Sequence, residues 1–330
     1  MRLEDVARDA GVSKSIASRV LNRDPGLLVR PETRERVVAS ARRLGYRPHA
    51  AARGLKRAET GALALLLPPL TNPVYVRILR GAFERALERD FVVLLVEDVD
   101  PVQAEATTAA LLQAGRIDGL IIASAEPGHP LVETLGRLAI PHVFVNRGVE
   151  GSGRNVVVDE ARAGSAAVAH LAALGHERIG HVAGPRRLDT ARRRTEGFLA
   201  AAEAHGIGAQ VEEGDFGERG GAGAVRALLE RPPGLTALFT STLSQAVGAY
   251  DALWRLGLDV PADVSLVAHD DMPLAQYLRP PLTAVRAPLA ELGAAAVDAL
   301  VDQVLGGGPR SIVIETEPQL VVRGSTAAAR

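Results

Sequence analysis

The chain has 330 residues, of which 47% are hydrophobic, so it is long enough for two or three domains with substantial cores. It has no cysteine, which excludes disulfides and cysteine-based zinc or thiol chemistry. Its first residues are acidic where a secretory signal needs a basic segment, and no run of eighteen apolar residues follows. We therefore expect a soluble cytoplasmic protein without a membrane segment.

The net charge of −1 conceals a strong asymmetry along the chain. Residues 1–60 hold fourteen Lys and Arg against seven Asp and Glu, a net charge of +7, which leaves −8 for residues 61–330. A short basic segment suits contact with nucleic-acid phosphates, because binding releases condensed counterions. A merely solvated basic surface is the alternative that charge alone leaves open.

The first sixty residues begin with the pattern helix, tight turn, helix. A short helix over residues 5–10 is predicted to end at Gly11, and Ser13 then stands at the N-cap of a second helix. The segment KSIASRVLN of that helix has an apolar stripe and a short, polar, cationic outer face. A third helix is predicted to start at Pro31 and to stop at Gly45.

The segment HAAARGLKRAETG follows Pro48 and contains several helix-forming residues. It is too short to be stably helical in isolation. We therefore expect it to fold only on contact with a partner.

From Gly61 onwards, apolar runs alternate with amphipathic helices. Runs such as ALALLLP, FVVLLVED, DGLIIAS and PHVFVN are each followed by a helical segment, and the alternation restarts with RIGHVAG, ALFTS and VSLVAHDD. Such runs with helical crossovers are typical of buried parallel strands. The sequence therefore predicts two successive open α/β units of about a hundred residues each, before a small-residue tail, STAAAR.

Several motifs follow one another in a recognisable order, among them DVARDAGVSKSIASRVLN, RPETRERVVASARRLGYRPHAAARGL, LAALGHERIGHVAGP and PPLTAVRAPLAELG. With this order and spacing the chain resembles the LacI/GalR family of transcriptional regulators along essentially its whole length. The resemblance implies an all-α helix-turn-helix head and an α/β core of two doubly wound parallel-sheet lobes, similar to a type I periplasmic binding protein. The implied domains are a head, 1–47, a hinge helix and linker, 48–60, and a core, 61–330, with an N-lobe (61–157 and 289–316) and a C-lobe (160–285 and 317–325).

The resemblance also implies that the second helix enters the major groove of DNA. The implied DNA contacts are Ser13, Lys14, Ser15, Ile16, Ser18, Arg19, Asn22, Thr33, Tyr46, His49, Ala52, Arg53 and Leu55. Arg19 is suited to reach guanine O6 and N7 as a fork, or else pairs with Asp24 on the helix surface. Ile16 stands where the family usually has threonine, so it contacts a thymine methyl group or simply packs.

Two further groups of contacts follow from the same resemblance. Ser13, Thr33 and Tyr46 would hold phosphates and so set the register of the head on DNA. The segment HAAARGL resembles the hinge helix of the family, in which a leucine, here Leu55, wedges between base steps of the minor groove. A plain linker with Leu55 packed on the core is the alternative.

The core implied by the resemblance has a cleft between its lobes, and the chain is expected to cross between them near residues 157–160, 285–289 and 316–320. Because strands of both lobes direct their carboxyl ends at the cleft, the loops after them should supply the ligand contacts. The candidate effector-binding residues are Asn72, Tyr75, Ser124, Asn146 and Arg147 in the first lobe and Thr190, Arg194, Phe216, Thr242 and Asp270 in the second.

The chemistry of these residues leaves the effector open among a sugar, a sugar acid, a sugar phosphate and a nucleobase. Arg194 and Asp270 would bind hydroxyls or a carboxylate and Phe216 would stack on a ring, unless Arg194 and Asp270 pair with each other. The family commonly has Asn-Asp where this chain has Thr242-Leu243, which weakens the prediction of a neutral hexose. A group of arginines is either solvated or able to hold an acid or a phosphate: Arg147, Arg186, Arg187, Arg192, Arg193 and Arg194.

Together these features predict a repressor that binds a pseudo-palindromic, double-stranded operator as a homodimer, under the control of a small molecule. No catalytic residue, cofactor or metal site is expected, and His176 and His181 are interpreted as structural. An enzyme is the first rival, since GGAGAV at 220–225 superficially suggests a dinucleotide loop. A solute-binding protein is the second rival, because the core alone would permit it.

Overall fold

The computed structural model describes residues 2–21, 26–46, 60–137, 140–232 and 234–329. The chain divides into two units, one formed by residues 1–62 with 115–118 and the other by residues 63–114 with 119–330. Within the described ranges, no helix has the length and apolar character needed to cross a membrane.

The head consists of three helices: α1 (Leu3–Asp9), α2 (Lys14–Leu21) and α3 (Pro31–Arg43). The Ser13 hydroxyl accepts a hydrogen bond from Ile16 N at 3.2 Å, which confirms the predicted N-cap of α2. Gly11 and Gly45 adopt φ angles of +64° and +62°, as expected for residues that end a helix. Aliphatic side chains from all three helices share one small core: Val6, Ala7, Ala10, Ala17, Val20, Leu27, Val37 and Ala41.

Polar contacts reinforce this small core by joining α1 to α3. Arg36 Nε donates to the Ala10 carbonyl oxygen at 2.8 Å, at the end of α1. Asp9 accepts hydrogen bonds from Ser40 and Arg43, and these bonds hold the pKa of its carboxyl below the usual value. The helices α1 and α3, on which α2 packs, are therefore held together by polar contacts as well as by apolar burial.

The first lobe is built on a six-stranded sheet in the order β11-β5-β4-β3-β1-β2. The pairings β1–β3, β3–β4, β4–β5 and β5–β11 are all parallel. The strands are β1 (Ala62–Leu67), β2 (Val92–Glu97), β3 (Gly119–Ile122), β4 (His142–Val145), β5 (Asn155–Val157) and β11 (Ile312–Val313). The helices of this lobe are α4 (Val74–Glu88), α5 (Pro101–Gln113), α6 (Pro130–Arg137) and α11 (Leu289–Val304).

The second lobe repeats this plan with a sheet in the order β12-β10-β9-β8-β6-β7, parallel except for the pair β10–β12. Its strands are β6 (Arg178–Ala183), β7 (Gly208–Glu213), β8 (Ala237–Thr240), β9 (Ser265–His269), β10 (Thr283–Arg286) and β12 (Gln319–Val321). Its helices are α7 (Glu160–Ala173), α8 (Asp189–Ala204), α9 (Glu218–Leu229), α10 (Leu243–Arg255) and a 3₁₀ helix (Pro273–Tyr277). The predicted fold class, an all-α head and two parallel-sheet lobes, is confirmed.

The chain passes between the two sheets three times, after β5, after β10 and after β11. The segment after β12 stays with the second lobe. Leu266 N donates to Ser325 O at 2.8 Å, and the buried Ser325 hydroxyl accepts from Thr283 N at 2.8 Å. The small-residue tail is therefore a packed part of this lobe, which its composition did not reveal.

Three pairs of helices approach each other through glycines on both partners. At each of these glycines, an added Cβ would overlap backbone atoms of the facing helix, so the two backbones lie in close contact. The pairs are α4 with α11 through Gly81 and Gly293, α7 with α8 through Gly164 and Gly197, and α9 with α10 through Gly221 and Gly248.

Replacing Gly197 with alanine is expected to lower the free energy of unfolding by about 1–3 kcal/mol, because the new methyl group would overlap the Ala161 backbone. Gly223→Ala is the matched control, since Gly223 is also helical but its Cβ would enter open space. That control should be stabilising by about 0.5–1 kcal/mol. Urea unfolding of both variants measures the difference, and equal effects would contradict a close crossing of α7 and α8.

Candidate DNA-binding face and ligand cleft

The start of α2 presents the predicted DNA contacts Ser13, Lys14 and Ser15 to solvent. Lys14 Nζ lies 2.6 Å from Glu4 Oε1 on α1, and this hydrogen bond lowers the pKa of the Glu4 carboxyl. Both side chains of the pair are more than half exposed. An exposed ion pair of this kind contributes little to stability, so Lys14 can exchange Glu4 for a phosphate or a base at little cost.

The other described contacts of the head are less exposed. Ile16 is half-buried and packs against the head core, so packing accounts for part of its surface. Ser18 and Arg19 on α2 and Thr33 in the first turn of α3 are also half-buried. Tyr46 packs on the head core too. The remaining predicted contacts, Asn22, His49, Ala52, Arg53 and Leu55, lie outside the described residues, as does Asp24.

In the first lobe, four of the predicted effector-binding side chains are buried near the carboxyl ends of the strands. Tyr75 follows β1, Ser124 follows β3, and Asn146 and Arg147 follow β4. Burial raises the pKa of Tyr75, while the neighbouring Arg147 and Asn146 oppose that shift. The phenol, guanidinium and amide therefore lie together, as predicted from the strand ends.

Asn72 contributes to the fold at the start of α4. Its Oδ1 accepts from Val74 N at 3.0 Å, so the side chain helps to begin α4. One acceptor of the amide is therefore already used by the backbone.

In the second lobe, Arg194 is buried in an ion pair with Glu160. Its Nη2 and Nε lie 2.6 Å and 3.0 Å from Glu160 Oε2, and its Nη1 donates to Ser241 O at 2.6 Å. The alternative that Arg194 pairs with Asp270 is therefore wrong, because the partner of Arg194 is Glu160. Asp270 Oδ1 instead lies 2.8 Å from His269 Nδ1.

Asn146 and Asp270 share an unusual backbone conformation. They directly follow β4 and β9, and their φ angles are +68° and +71°. Left-handed conformations of residues other than glycine cost free energy and occur often at functional sites. The two lobes thus place one such residue each at the carboxyl edge of their sheets.

The remaining candidates of the second lobe have mainly structural contacts. The Thr242 hydroxyl donates to Phe216 O at 2.8 Å and accepts from Gln245 N at 3.1 Å, so it caps α10. The Phe216 ring lies against Gly184, where a Cβ would overlap it. Thr190 is buried in the first turn of α8.

Side chains and backbone of the two lobes meet along the cleft. Gly148 N of the first lobe donates to Asp189 Oδ2 of the second at 3.2 Å, and Arg187 Nε lies 3.4 Å from Glu126 Oε2. The Asp270 carboxylate also contributes to the raised pKa of Tyr75 across the cleft. An open cavity of about 610 Å³ lies beside Asp270, where β10 leads into α11.

The group of arginines does not form an unpaired cationic patch. Arg187, Arg192, Arg193 and Arg194 each lie within 4 Å of a carboxylate oxygen. Arg147 is buried and has no carboxylate partner among the residues that the structure describes. Because most of these arginines already have carboxylate partners, the structure does not support the alternative in which the whole group holds an acid or a phosphate.

Sequence reasoning missed a buried pair in the first lobe, Asp98 and His129. His129 Nε2 lies 2.7 Å from Asp98 Oδ2, and His129 Nδ1 accepts from Leu131 N at 3.2 Å. Asp98 directly follows β2, so the rule applied to the other strands could have found it. Because both ring nitrogens are engaged, His129 cannot take a proton from the nearby Ser124 hydroxyl, and the three residues do not form a hydrolytic triad.

The other sequence features considered for chemistry are part of the fold. The motif GGAGAV lies inside α9, where Gly221 packs against Gln245, so it is a helix and not a phosphate loop. His176 Nδ1 lies 2.9 Å from Thr236 Oγ1. His181 Nδ1 lies 3.0 Å from Phe239 O, in keeping with a structural histidine.

Comparison with known proteins extends these observations. Residues 2–49 match the family described as bacterial regulatory proteins of the lacI family, and residues 168–326 match the periplasmic binding protein-like domain. The chain is 33% identical to the ribose operon repressor of Escherichia coli (strain K12) over 329 residues, which cover 98% of this chain and 99% of the repressor.

Two solved structures are also similar over nearly the whole chain. The complex of the transcriptional regulator CelR with cellobiose has a TM-score of 0.76 at 30% identity and covers 98% of this chain and 99% of CelR. The lac repressor dimer, bound to operator and the anti-inducer ONPF, has a TM-score of 0.81 at 27% identity and covers 99% of both chains. The chain described here therefore belongs to the LacI family of bacterial regulatory proteins, as a DNA-binding transcriptional regulator with a periplasmic-binding-protein-like core.

Proposed function

We propose that the protein represses transcription by binding a pseudo-palindromic operator as a homodimer, and that a sugar or a related small metabolite in the cleft between its lobes controls this binding. The observation that carries the proposal is that buried Tyr75 and Arg147 of one lobe and buried Asp270 of the other lie at the carboxyl edges of their sheets, where the Asp270 charge acts on Tyr75. Ligands of open α/β folds bind at such edges.

We propose one role for each of the expected domains. Residues 1–47 bind the operator, residues 48–60 form the hinge, and residues 61–330 bind the effector and the second subunit. We propose that Lys14, Ser15 and Arg19 face the base edges, because α2 presents its start to solvent. Ser13, Thr33 and Tyr46 would contact phosphates, and Leu55 would enter the minor groove.

A homodimer is supported by an exposed apolar face of the first lobe. Val76, Phe83 and Leu87 lie along one side of α4, and Val92 and Leu94 lie on β2, at the end of the sheet. Large apolar side chains grouped in this way commonly mark a protein interface. The lac repressor, whose fold this chain shares, was solved as a dimer, and we propose a second copy of this chain as the occupant.

The effector is proposed to act by linkage. A ligand that contacts both lobes favours one angle between them, and that angle sets whether two heads can reach their half-sites together. The Gly148–Asp189 hydrogen bond and the Arg187–Glu126 pair are the contacts between lobes that such a change would make or break. A coupling of about 1–3 kcal/mol is typical of such systems.

We further propose that the protein acts in the cytoplasm, where an operator is accessible, and that it catalyses no reaction. The family membership supports both statements, since the relatives are named as transcriptional regulators. The basic head does not support the alternative that the chain is a solute-binding protein.

The salt dependence of operator binding tests this proposal. The affinity should fall steeply as salt rises, and Lys14→Ala should reduce the slope of log K against log[salt] by about 1. Arg255→Ala, which removes an exposed cation of the core, is the matched control and should leave the slope as in the wild type. Fluorescence anisotropy on a genomic operator fragment measures both. A slope that Lys14→Ala does not change would place this residue away from DNA.

A further inference from the structure

The carboxyl edge of the first sheet holds three buried polar atoms without a hydrogen-bond partner among the described residues. They are Asp98 Oδ1, Ser124 Oγ and Arg147 Nε. The three residues follow β2, β3 and β4, and each is at least nine-tenths buried. A buried polar group left without a partner is costly, so a cluster of three is unusual in a native protein. Such a cluster indicates a place where another molecule supplies the missing hydrogen bonds.

The charges of the cluster balance each other. Burial tends to raise the pKa of Asp98, but the hydrogen bond with His129, the nearby Ser124 hydroxyl and the charge of Arg147 outweigh it, so the pKa is lowered. The Asp98 carboxyl is therefore ionised at neutral pH. Arg147 carries the opposite charge, and its Nη1 makes one long contact, 3.5 Å to Ser124 O.

His129 keeps the Asp98 carboxylate in place. Because His129 Nδ1 accepts from Leu131 N, its proton lies on Nε2 and points to Asp98 Oδ2. The side chains of the pair are only 1% and 3% exposed. Asp98 Oδ2 therefore already has a partner, and Oδ1 is left as an acceptor at the carboxyl edge of the first sheet.

We propose that Asp98 determines the specificity of the effector site, in that it selects an uncharged hydroxyl group of the ligand next to Arg147 and excludes a carboxylate or a phosphate. This inference rests on the proposed function of the cleft. A hydroxyl can accept from Arg147 or Ser124 and donate to Asp98 Oδ1 at the same time. A carboxylate, or a sugar phosphate in its dianionic form, has no proton for Asp98 and would place a negative charge against it, which acts as selection against the wrong ligand.

The first experiment removes the negative charge and uses inorganic sulfate as the probe. Asp98→Asn keeps the size of the side chain but leaves Arg147 without a compensating charge. In full-length protein, at an ionic strength held constant with NaCl, we expect Asp98→Asn to bind sulfate at least tenfold more tightly than the wild type, as measured by calorimetry. The double variant Asp98→Asn/Arg147→Gln should lose this gain. Equal sulfate binding by the wild type and Asp98→Asn, or a gain that survives the loss of Arg147, would overturn the proposal.

A second measurement uses the wild type alone and so does not depend on whether the variant folds. Thermal shifts are compared for pairs of a neutral sugar and its acid, such as glucose with glucuronate and ribose with ribonate. We expect any stabilisation to come from the neutral member, and preferential stabilisation by the acid would overturn the proposal. If no pair has an effect, the sulfate titration decides. A wild type that binds no operator fragment would instead count against the proposed function. The sulfate titration and the comparison of sugars with their acids would still test the role of Asp98.

Discussion

Replacing Arg194 with alanine is expected to lower the free energy of unfolding by about 3–5 kcal/mol. The side chains of Arg194 and Glu160 are 6% and 2% exposed, so the change leaves a carboxylate in the interior without its counter-ion. The Ser241 carbonyl also loses the donor that lies 2.6 Å away. Urea unfolding followed by circular dichroism measures the loss as a lower midpoint.

Arg192→Ala is the matched control for this prediction. Arg192 lies on the same helix and pairs with Asp189 and Glu196, but its side chain is 52% exposed. Exposed pairs contribute between 0 and about 1 kcal/mol, so this variant should unfold close to the wild type. The double variant Glu160→Gln/Arg194→Met should recover part of the loss, because no buried charge is left unpaired. Similar midpoints for Arg192→Ala and Arg194→Ala would show that the Glu160 pair is not desolvated.

Lowering the pH from 7.5 to 5 is expected to cost the protein about 2 kcal/mol of stability through His181 alone. Burial lowers the pKa of His181 to about 3 in the folded chain, against an ordinary value of 6.5 for a histidine in the unfolded chain. Between these values the unfolded chain binds the proton and the folded chain does not, so stability falls as the pH drops below about 6.5. The ring is fully buried between Phe198 and Phe239, with centroid distances of 4.9 Å to each.

His181→Asn tests this prediction, because the asparagine amide takes the place of the Nδ1 group that bonds to Phe239 O but does not titrate. The variant is expected to be less stable than the wild type at pH 7.5, where the ring packing is lost. Its further loss between pH 7.5 and 5 should be smaller than that of the wild type by about 2 kcal/mol. The pKa values of His142, His170 and His176 are also lowered by burial, so some loss remains in the variant. An unchanged pH dependence would contradict a neutral, buried His181.

The head was predicted closely because its signals are local. Ser13 caps α2 through an atom three residues away, and Gly11, Gly45 and Pro31 end or begin helices by their own backbone preferences. The apolar runs of β1 to β4 and of β6, β8 and β9 were equally visible, since buried parallel strands are continuous in sequence. The strands β5, β11 and β12 were not predicted as elements because they have only two or three residues, and β10 was not because only Ala284 and Val285 in it are apolar.

The arrangement of the candidate site was predicted only in part. What could be predicted again depends on signals that are local in the sequence. The rule that ligand contacts follow strands selected Tyr75, Arg147 and Asp270, which the structure places at the carboxyl edges of the sheets, because the rule depends only on strand order. It could have found Asp98, which also follows a strand. It could not show that Thr242 caps α10 or that Asn72 helps to begin α4, because those roles depend on backbone groups positioned by packing.

By itself, then, the amino-acid sequence determined the helical head, the alternating α/β core and the family, because caps, turns and apolar runs act over a few residues. Only the tertiary structure decided which charges are paired. Glu160 and Arg194 are 34 residues apart in sequence, and Asp98 and His129 are 31 apart, yet each pair lies within hydrogen-bond distance in the interior. The physical reason is that a buried charge takes its partner from whichever element the packing of the sheet and helices brings beside it, and no local pattern specifies that neighbour.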